Sequence, residues 1–238
     1  APAAAEAYYA HVPLIVVSAD RPSQWIDQND SQTIRQPLAL EQATKWHTSL
    51  PSLPSSDDER WHTQRMLNEA WQMATKLPLG TIHINIHISE PIAQTASIEQ
   101  NDWRSIFHPC TKPRIVAHQA TMLAERFASM RRVMVVCGMM PPNAELNSLL
   151  CQLANRSNCV VLAEPVSNIH GNGIITEPER ALCALTADQE HQLAPELVIY
   201  LGGALVSRRM KEYLRSHPCE QWRVGVDHNI IDTFMHLA

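Results

Sequence analysis

Three apolar runs in the second half of the chain constrain its fold more than any other feature. They are Arg132-Val133-Met134-Val135-Val136-Cys137-Gly138, Cys159-Val160-Val161-Leu162-Ala163-Glu164-Pro165 and Leu197-Val198-Ile199-Tyr200-Leu201-Gly202-Gly203. Each is too short for a buried helix, is rich in β-branched residues and stops at glycine or proline, so each reads as a strand buried on both faces. Helical patterns separate them, over 116–130, from the Asn143 cap to about Asn155, over 177–187 and from Ser207 to Arg215, and a fourth strand is expected over Trp222 to Asp227. Strands that alternate with helices and are buried on both faces build a mostly parallel, right-handed, doubly wound sheet.

The first half is less regular. A helix-like start, A-A-E-A-Y-Y-A, leads into a strand at 13–18, and Pro37 to Trp46 carries apolar residues at 38, 40, 43 and 46, a weakly helical pattern ended by Pro51 and Pro54. Ser55-Ser56-Asp57-Asp58-Glu59 is a helix start, with serine caps and acids facing the positive end of the dipole. That helix runs to about Leu77, with Trp61, Met66, Leu67, Ala70, Trp71 and Ala74 read as its apolar stripe. Thr81 to Ser89 alternates with period two, placing Ile82, Ile84, Ile86 and Ile88 on one face and His83, Asn85 and His87 on the other. Two histidines without a third ligand are a poor metal site, so hydrogen bonding against a helix is the expected role. Residues 90–113, bracketed by Pro91, Pro109 and Pro113, read as a linker pinned by Trp103 and Phe107.

Composition narrows the function. The 238 residues carry a net charge of −5, with no lysine or arginine run, which disfavours a nucleic-acid partner. No apolar run approaches the roughly 20 residues of a membrane span and no signal sequence opens the chain, so a cytoplasmic location is expected. Six cysteines lack C-x-x-C pairing and read as reduced core thiols. With seven glycines there is no G-x-G-x-x-G, no G-x-x-x-x-G-K-[ST] and no G-x-S-x-G. The chain opens Ala1-Pro2-Ala3 without methionine, midway through a helical pattern, which reads as a piece of a longer protein.

Two places attract chemistry. The strand at 13–18 stops at Ser18-Ala19-Asp20-Arg21-Pro22, where Pro22 forces Arg21 into an extended conformation at a strand's carboxyl end, the usual ligand crevice of open α/β sheets. The loop beyond, with Gln24, Gln28, Asn29, Gln32 and Gln36, offers paired donors and acceptors. Ser207-Arg208-Arg209 opens a helix directly after Gly202-Gly203, where backbone N–H groups and two guanidiniums read either as a dicarboxylate pocket or as a solvated first turn.

The order A-E-A-Y-Y-A-H-V-P-L-I-V-V-S-A-D-R-P, then Gln32-Thr33-Ile34-Arg35-Gln36, then G-T-I-H-I-N-I-H-I-S-E-P-I, resembles the 2-succinyl-5-enolpyruvyl-6-hydroxy-3-cyclohexene-1-carboxylate synthases, thiamin-diphosphate enzymes of menaquinone biosynthesis. The resemblance implies the end of a pyrimidine-binding α/β domain over 1–95, a linker over 96–113 and a doubly wound, Rossmann-like central domain over 114–238. It implies that Arg21 binds a substrate carboxylate, that Gln32 lies beside the cofactor ring, and that Arg208, where the family often has lysine, and Arg209 form a basic pair for substrate. It departs from the family at Asn29-Asp30-Ser31, where Gly-Ala-Asn is usual, and at His87, where proline is usual.

The intact enzyme would use thiamin diphosphate with Mg2+ or Mn2+, decarboxylate 2-oxoglutarate, transfer the succinyl unit to isochorismate and assemble as a homo-oligomer, a dimer or a tetramer. This chain lacks the glycine-aspartate-glycine metal motif and the activating glutamate, so alone it is expected to be inactive and to hold no complete cofactor site. Two other readings remain open: another thiamin-diphosphate decarboxylase, such as a relative of acetolactate synthase, and a non-catalytic module holding an anion or nucleotide at the 203–209 turn.

Overall fold

The structure is a computed structural model that describes residues 1–30, 33–89, 103–109, 111, 113–227 and 229–238, apart from the side chain of Leu38. The chain divides into two compact units, Ala1–Thr111 and Lys112–Ala238. Gln32, Cys110 and most of the expected linker lie outside the described residues.

In the first unit, α1 (Pro2–Tyr9) and β1 (Leu14–Asp20) are followed by the short α2 (Gln36–Ala39), β2 (Trp46–Pro51), α3 (Asp57–Thr75) and β3 (Thr81–His87). The three strands form a parallel sheet in the order β1-β3-β2. The weakly helical reading of 37–46 fails where β2 begins. Trp46, Thr48 and Leu50 join the apolar face of the sheet at the register of Ile82, Ile84 and Ile86, and this pairing outweighs a marginal helical pattern.

Ser56 caps α3 by accepting a hydrogen bond from the Glu59 N–H at 3.2 Å, as the serine-acid start requires. The face that α3 buries is Thr63, Met66, Ala70, Met73 and Ala74, whereas Trp61 and Trp71 stay exposed. Small alanines let the helix approach the sheet, and the bulky indoles are rotated off that line. The segment after the first unit's sheet is held by Asn68, which donates to the Arg104 carbonyl and accepts from the Ile106 N–H, at 2.8 and 2.7 Å. Phe107, expected to pin this segment, is 87 % exposed.

The second unit contains α4 (Ala117–Ser129), β4 (Val133–Cys137), α5 (Ala144–Ala154), β5 (Cys159–Ala163), β6 (Ile174–Ile175), α6 (Pro178–Cys183), α7 (Ala187–Gln192), β7 (Leu197–Leu201), α8 (Arg208–Ser216) and β8 (Glu220–Val224). Its sheet is entirely parallel in the order β6-β5-β4-β7-β8, the doubly wound topology in which the chain leaves the centre in one direction, returns and continues in the other. Met134, Val136, Leu162, Val198 and Tyr200 pack with α6 and α8 on one face, and Val135, Cys137, Val161, Ala163 and Leu201 pack with α5 on the other.

Three local expectations change. The helix read over 177–187 is two helices, because Thr186 caps a new start through a capping box with Gln189. The last strand begins two residues earlier than Trp222, since Glu220 and Gln221 pair with Leu197 and Val198. The cysteines are not uniformly core thiols: Cys137 is buried, its thiol pushed up to about 12 by desolvation, but Cys183 is exposed.

At the switch point between β4 and β7 the two loops bond to each other. Gly203 N–H donates to the Met139 carbonyl at 2.7 Å and Met139 N–H to the Ala204 carbonyl at 3.0 Å. A Cβ on Gly138 would lie 2.3 Å from the Gly203 carbonyl oxygen, a clash with backbone that no rotamer relieves. Gly138→Ala should therefore destabilise the second unit by about 2 kcal/mol or more. Urea unfolding followed by far-UV circular dichroism measures this, and an unchanged midpoint would show that the loops part without cost.

Candidate active site

One candidate site lies at the end of β1, in the first unit. Side chains of Ser18 and Asp20 share a face with His83, Asn85 and His87 of the neighbouring strand, as the parallel register requires. Asp20 is 5 % exposed, Asn85 fully buried and His83 2 % exposed, so the polar face of the alternating strand is as dry as its isoleucine face. Buried polar groups require partners, and these form one directed chain. The Asp20 carboxylate accepts from Asn85 Nδ2 at 2.8 Å, which fixes the amide orientation, so Asn85 Oδ1 accepts the single Ser18 hydroxyl proton at 2.8 Å. Ser18 Oγ must then accept from His83 Nε2, 2.7 Å away, leaving His83 Nδ1 as a buried lone pair with no hydrogen-bond partner among the described residues.

The other end of this chain sets the turn. Asp20 Oδ1 accepts from the Arg21 N–H at 2.8 Å and from Gln36 Nε2 at 3.3 Å, while Gln36 also donates to the Ala19 carbonyl at 2.7 Å. His87 Nδ1 donates to the Arg21 carbonyl at 2.9 Å. The histidines expected to bond a helix thus bond the neighbouring strand and its turn. Arg21 itself is gripped by Asp30, through Nε at 3.0 Å and Nη2 at 2.5 Å. The loop between them, lacking glycine, turns on Asp27 and Asn29 at φ of 63° and 58°, residue types that tolerate the left-handed region. Arg35 and Asp27 form a second, more exposed pair in the same loop.

A separate candidate is the start of α8, in the second unit. Ser207 caps the helix by accepting from the Met210 N–H at 3.1 Å. The backbone N–H groups of Val206 and Ser207 both donate to Glu164, each at 2.7 Å, one to each carboxylate oxygen. Glu164 follows β5 and is 3 % exposed, so the anion-binding end of this helix holds a carboxylate of the chain itself. The two arginines diverge. Arg208, its side chain 90 % exposed, pairs with Glu212 one turn on, whereas Arg209 reaches Glu190 on α7. Arg208 also lines a cleft of about 620 Å³ with Glu164, Thr176, Arg180 and Val206, at the carboxyl ends of β5 and β6. Sequence reading found the cations and missed the acids that hold them. The S-A-D-R-P turn and the H-I-N alternation were the available signals for Asp20, Asn85 and His83.

Burial pushes the His83 imidazole below its ordinary pKa, His47 acts in the same direction, and Asp20 pulls it back. A histidine whose folded pKa lies below its unfolded value of about 6.5 lends stability above that pH and loses it as pH falls. Stability of the first unit should therefore decline as pH falls through about 6.5 and below. His83→Gln should flatten that slope in urea titrations, and parallel profiles would remove His83 from this role. Asp20→Asn keeps one acceptor oxygen but sets its amide NH2 against either Asn85 Nδ2 or the Arg21 N–H, which bond different carboxylate oxygens. Thermal and urea unfolding should show a loss of about 1–3 kcal/mol.

No protein-family model matches the chain. Curated relatives do, over its whole length. A 2-succinyl-5-enolpyruvyl-6-hydroxy-3-cyclohexene-1-carboxylate synthase of Porphyromonas gingivalis is 36% identical over 239 aligned positions, covering 100% of this chain and 41% of that protein. Synthases of the same name from Bacteroides thetaiotaomicron and Cytophaga hutchinsonii are each 34% identical, again over 100% of this chain and 42% of theirs. The chain thus spans about two-fifths of the length of the curated relatives it matches. Identity of 34–36% over the whole of this chain places it in the 2-succinyl-5-enolpyruvyl-6-hydroxy-3-cyclohexene-1-carboxylate synthase family.

Proposed function

We propose that the protein carrying this chain is a thiamin-diphosphate-dependent synthase of menaquinone biosynthesis, which decarboxylates 2-oxoglutarate and transfers the succinyl unit to isochorismate. The observation that carries this reading is the full-length match to relatives named for that synthase. The family's divalent metal is not provided for by the described residues, among which no three His, Cys, Asp or Glu side chains group to hold one. What this chain contributes is anion positioning.

Arg21 is the first candidate. Its backbone is fixed on both sides, by Asp20 on its N–H and His87 on its carbonyl, and its guanidinium is oriented by Asp30. A planar fork held in this way recognises a carboxylate without a large loss of side-chain entropy. Asp30 is a competitor as well as a support, because a substrate carboxylate must share or displace it. Gln32 belongs to the proposal through the family resemblance. Arg208 and Arg209 are proposed as substrate contacts through their guanidiniums, since the helix-end N–H groups of Val206 and Ser207 already serve Glu164. No helix among the described residues is long and apolar enough to cross a membrane.

Steady-state kinetics on the longest form of the protein that carries this chain, supplied with thiamin diphosphate and Mg2+, test the reading. Turnover of 2-oxoglutarate with isochorismate is expected. Arg21→Ala should lower kcat/KM about tenfold or more, as for loss of a charge-assisted contact. Asp30→Ala should move KM the other way, downward. A purely structural ion pair would make both variants worse alike, and absence of turnover by the parent protein would overturn the assignment itself.

A further inference from the structure

The second unit contains an apolar cavity of about 340 Å³ that the proposed chemistry does not use. It opens at the amino ends of β4 and β5, whereas Glu164 and the start of α8 lie at the carboxyl ends of the strands. Its walls are branched aliphatic side chains, Leu162 and Ile175 from the sheet, Leu182 and Leu185 from α6 and the turn after it, and Leu193 from the end of α7. The volume falls at the small end of the roughly 300–1,000 Å³ typical of ligand sites. Such a lining offers water few partners.

The rim differs from the interior. Arg131 and Arg132 stand at the mouth and share one acid: Arg131 Nε and Arg132 Nη2 each lie 3.4 Å from Glu196 Oε1. The Arg132 Nε–H is turned to the Ala194 carbonyl at 2.7 Å. Two guanidiniums against one carboxylate leave the entrance positive over an aliphatic interior. Tyr213 is the sole aromatic ring in the lining, so nothing on the opposite wall would sandwich a flat ring.

We propose that this cavity is a binding site for a small aliphatic monocarboxylate, its chain among Leu162, Leu182 and Leu185 and its carboxylate against Arg131 and Arg132. Flexible chains suit a lining of branched aliphatic groups, and the guanidinium fork suits a carboxylate. The site requires neither the cofactor nor the substrates of the proposed reaction, so it stands or falls independently of that assignment.

Isothermal titration of the 238-residue chain with butanoate, hexanoate, octanoate and octan-1-ol tests it. Burying each added methylene should tighten binding about fourfold, so octanoate should bind about fifteenfold more tightly than hexanoate. Arg131→Ala with Arg132→Ala should weaken octanoate severalfold and leave octan-1-ol unchanged. Leu182→Trp, which fills the cavity, should abolish both. Should that variant not fold, the ¹³C-methyl resonance of Met134, which lines the cavity, reads occupancy in the unmodified chain and should move with octanoate in a saturable 1:1 fashion. Absence of saturable binding, affinity independent of chain length, or a Met134 resonance that stays in place overturns the proposal.

Discussion

A carboxylate removed from water must be met by donors, and in each unit this requirement organises the end of a strand. Asp20 is answered by Asn85, Gln36 and the N–H of Arg21, and Glu164 by the N–H groups of Val206 and Ser207. Leaving either without its donors would cost several kcal/mol, more than most single contacts contribute. The surrounding geometry is therefore tightly specified. Ser18 and His83 extend the Asp20 set in one possible direction of proton donation, and Gln36 ties the far end of the loop back to the strand it left.

The two carboxylates have different consequences for chemistry. Asp20 shapes the backbone on which Arg21 stands, so its effect on an anion is indirect and acts through the direction of a guanidinium. Glu164 occupies the helix end that an external anion would otherwise seek. Together with the bonded loops at Gly138 and Gly203, it makes the carboxyl edge of the second sheet a closed construction around β4 and β7, with open space displaced toward β5 and β6. An external anion at the start of α8 would compete with Glu164 for the N–H groups of Val206 and Ser207.

Every candidate cation is held by an acid of the chain: Arg21 by Asp30, Arg208 by Glu212, Arg209 by Glu190. Such pairs differ in value. The exposed Arg208 pair is screened and adds little stability, whereas the half-buried Arg21 pair orients its guanidinium within a loop built on left-handed Asp27 and Asn29.

The strand-helix order of the second unit, the Ser56 and Asn143 caps and the strand ends at Pro22 and Gly138 were legible in the sequence, because they follow from local sterics and from periodicity within single elements. β2 was not legible, since its place comes from pairing with β3, nor was the break at Thr186, where a cap competes with helix continuation. Of the site, the guanidiniums could be named from the chain alone, being rare charged groups beside turn signals. What they face could not. Asp20 to His83 spans two strands, Glu164 to Ser207 a crossover and Arg209 to Glu190 two helices, and such partners are chosen by the register and winding of the sheets. The sequence by itself determined which residues carry charge and where strands must stop. Only the tertiary structure decided which acid meets which base, because burial, not proximity in the chain, sets the cost of leaving one unpaired.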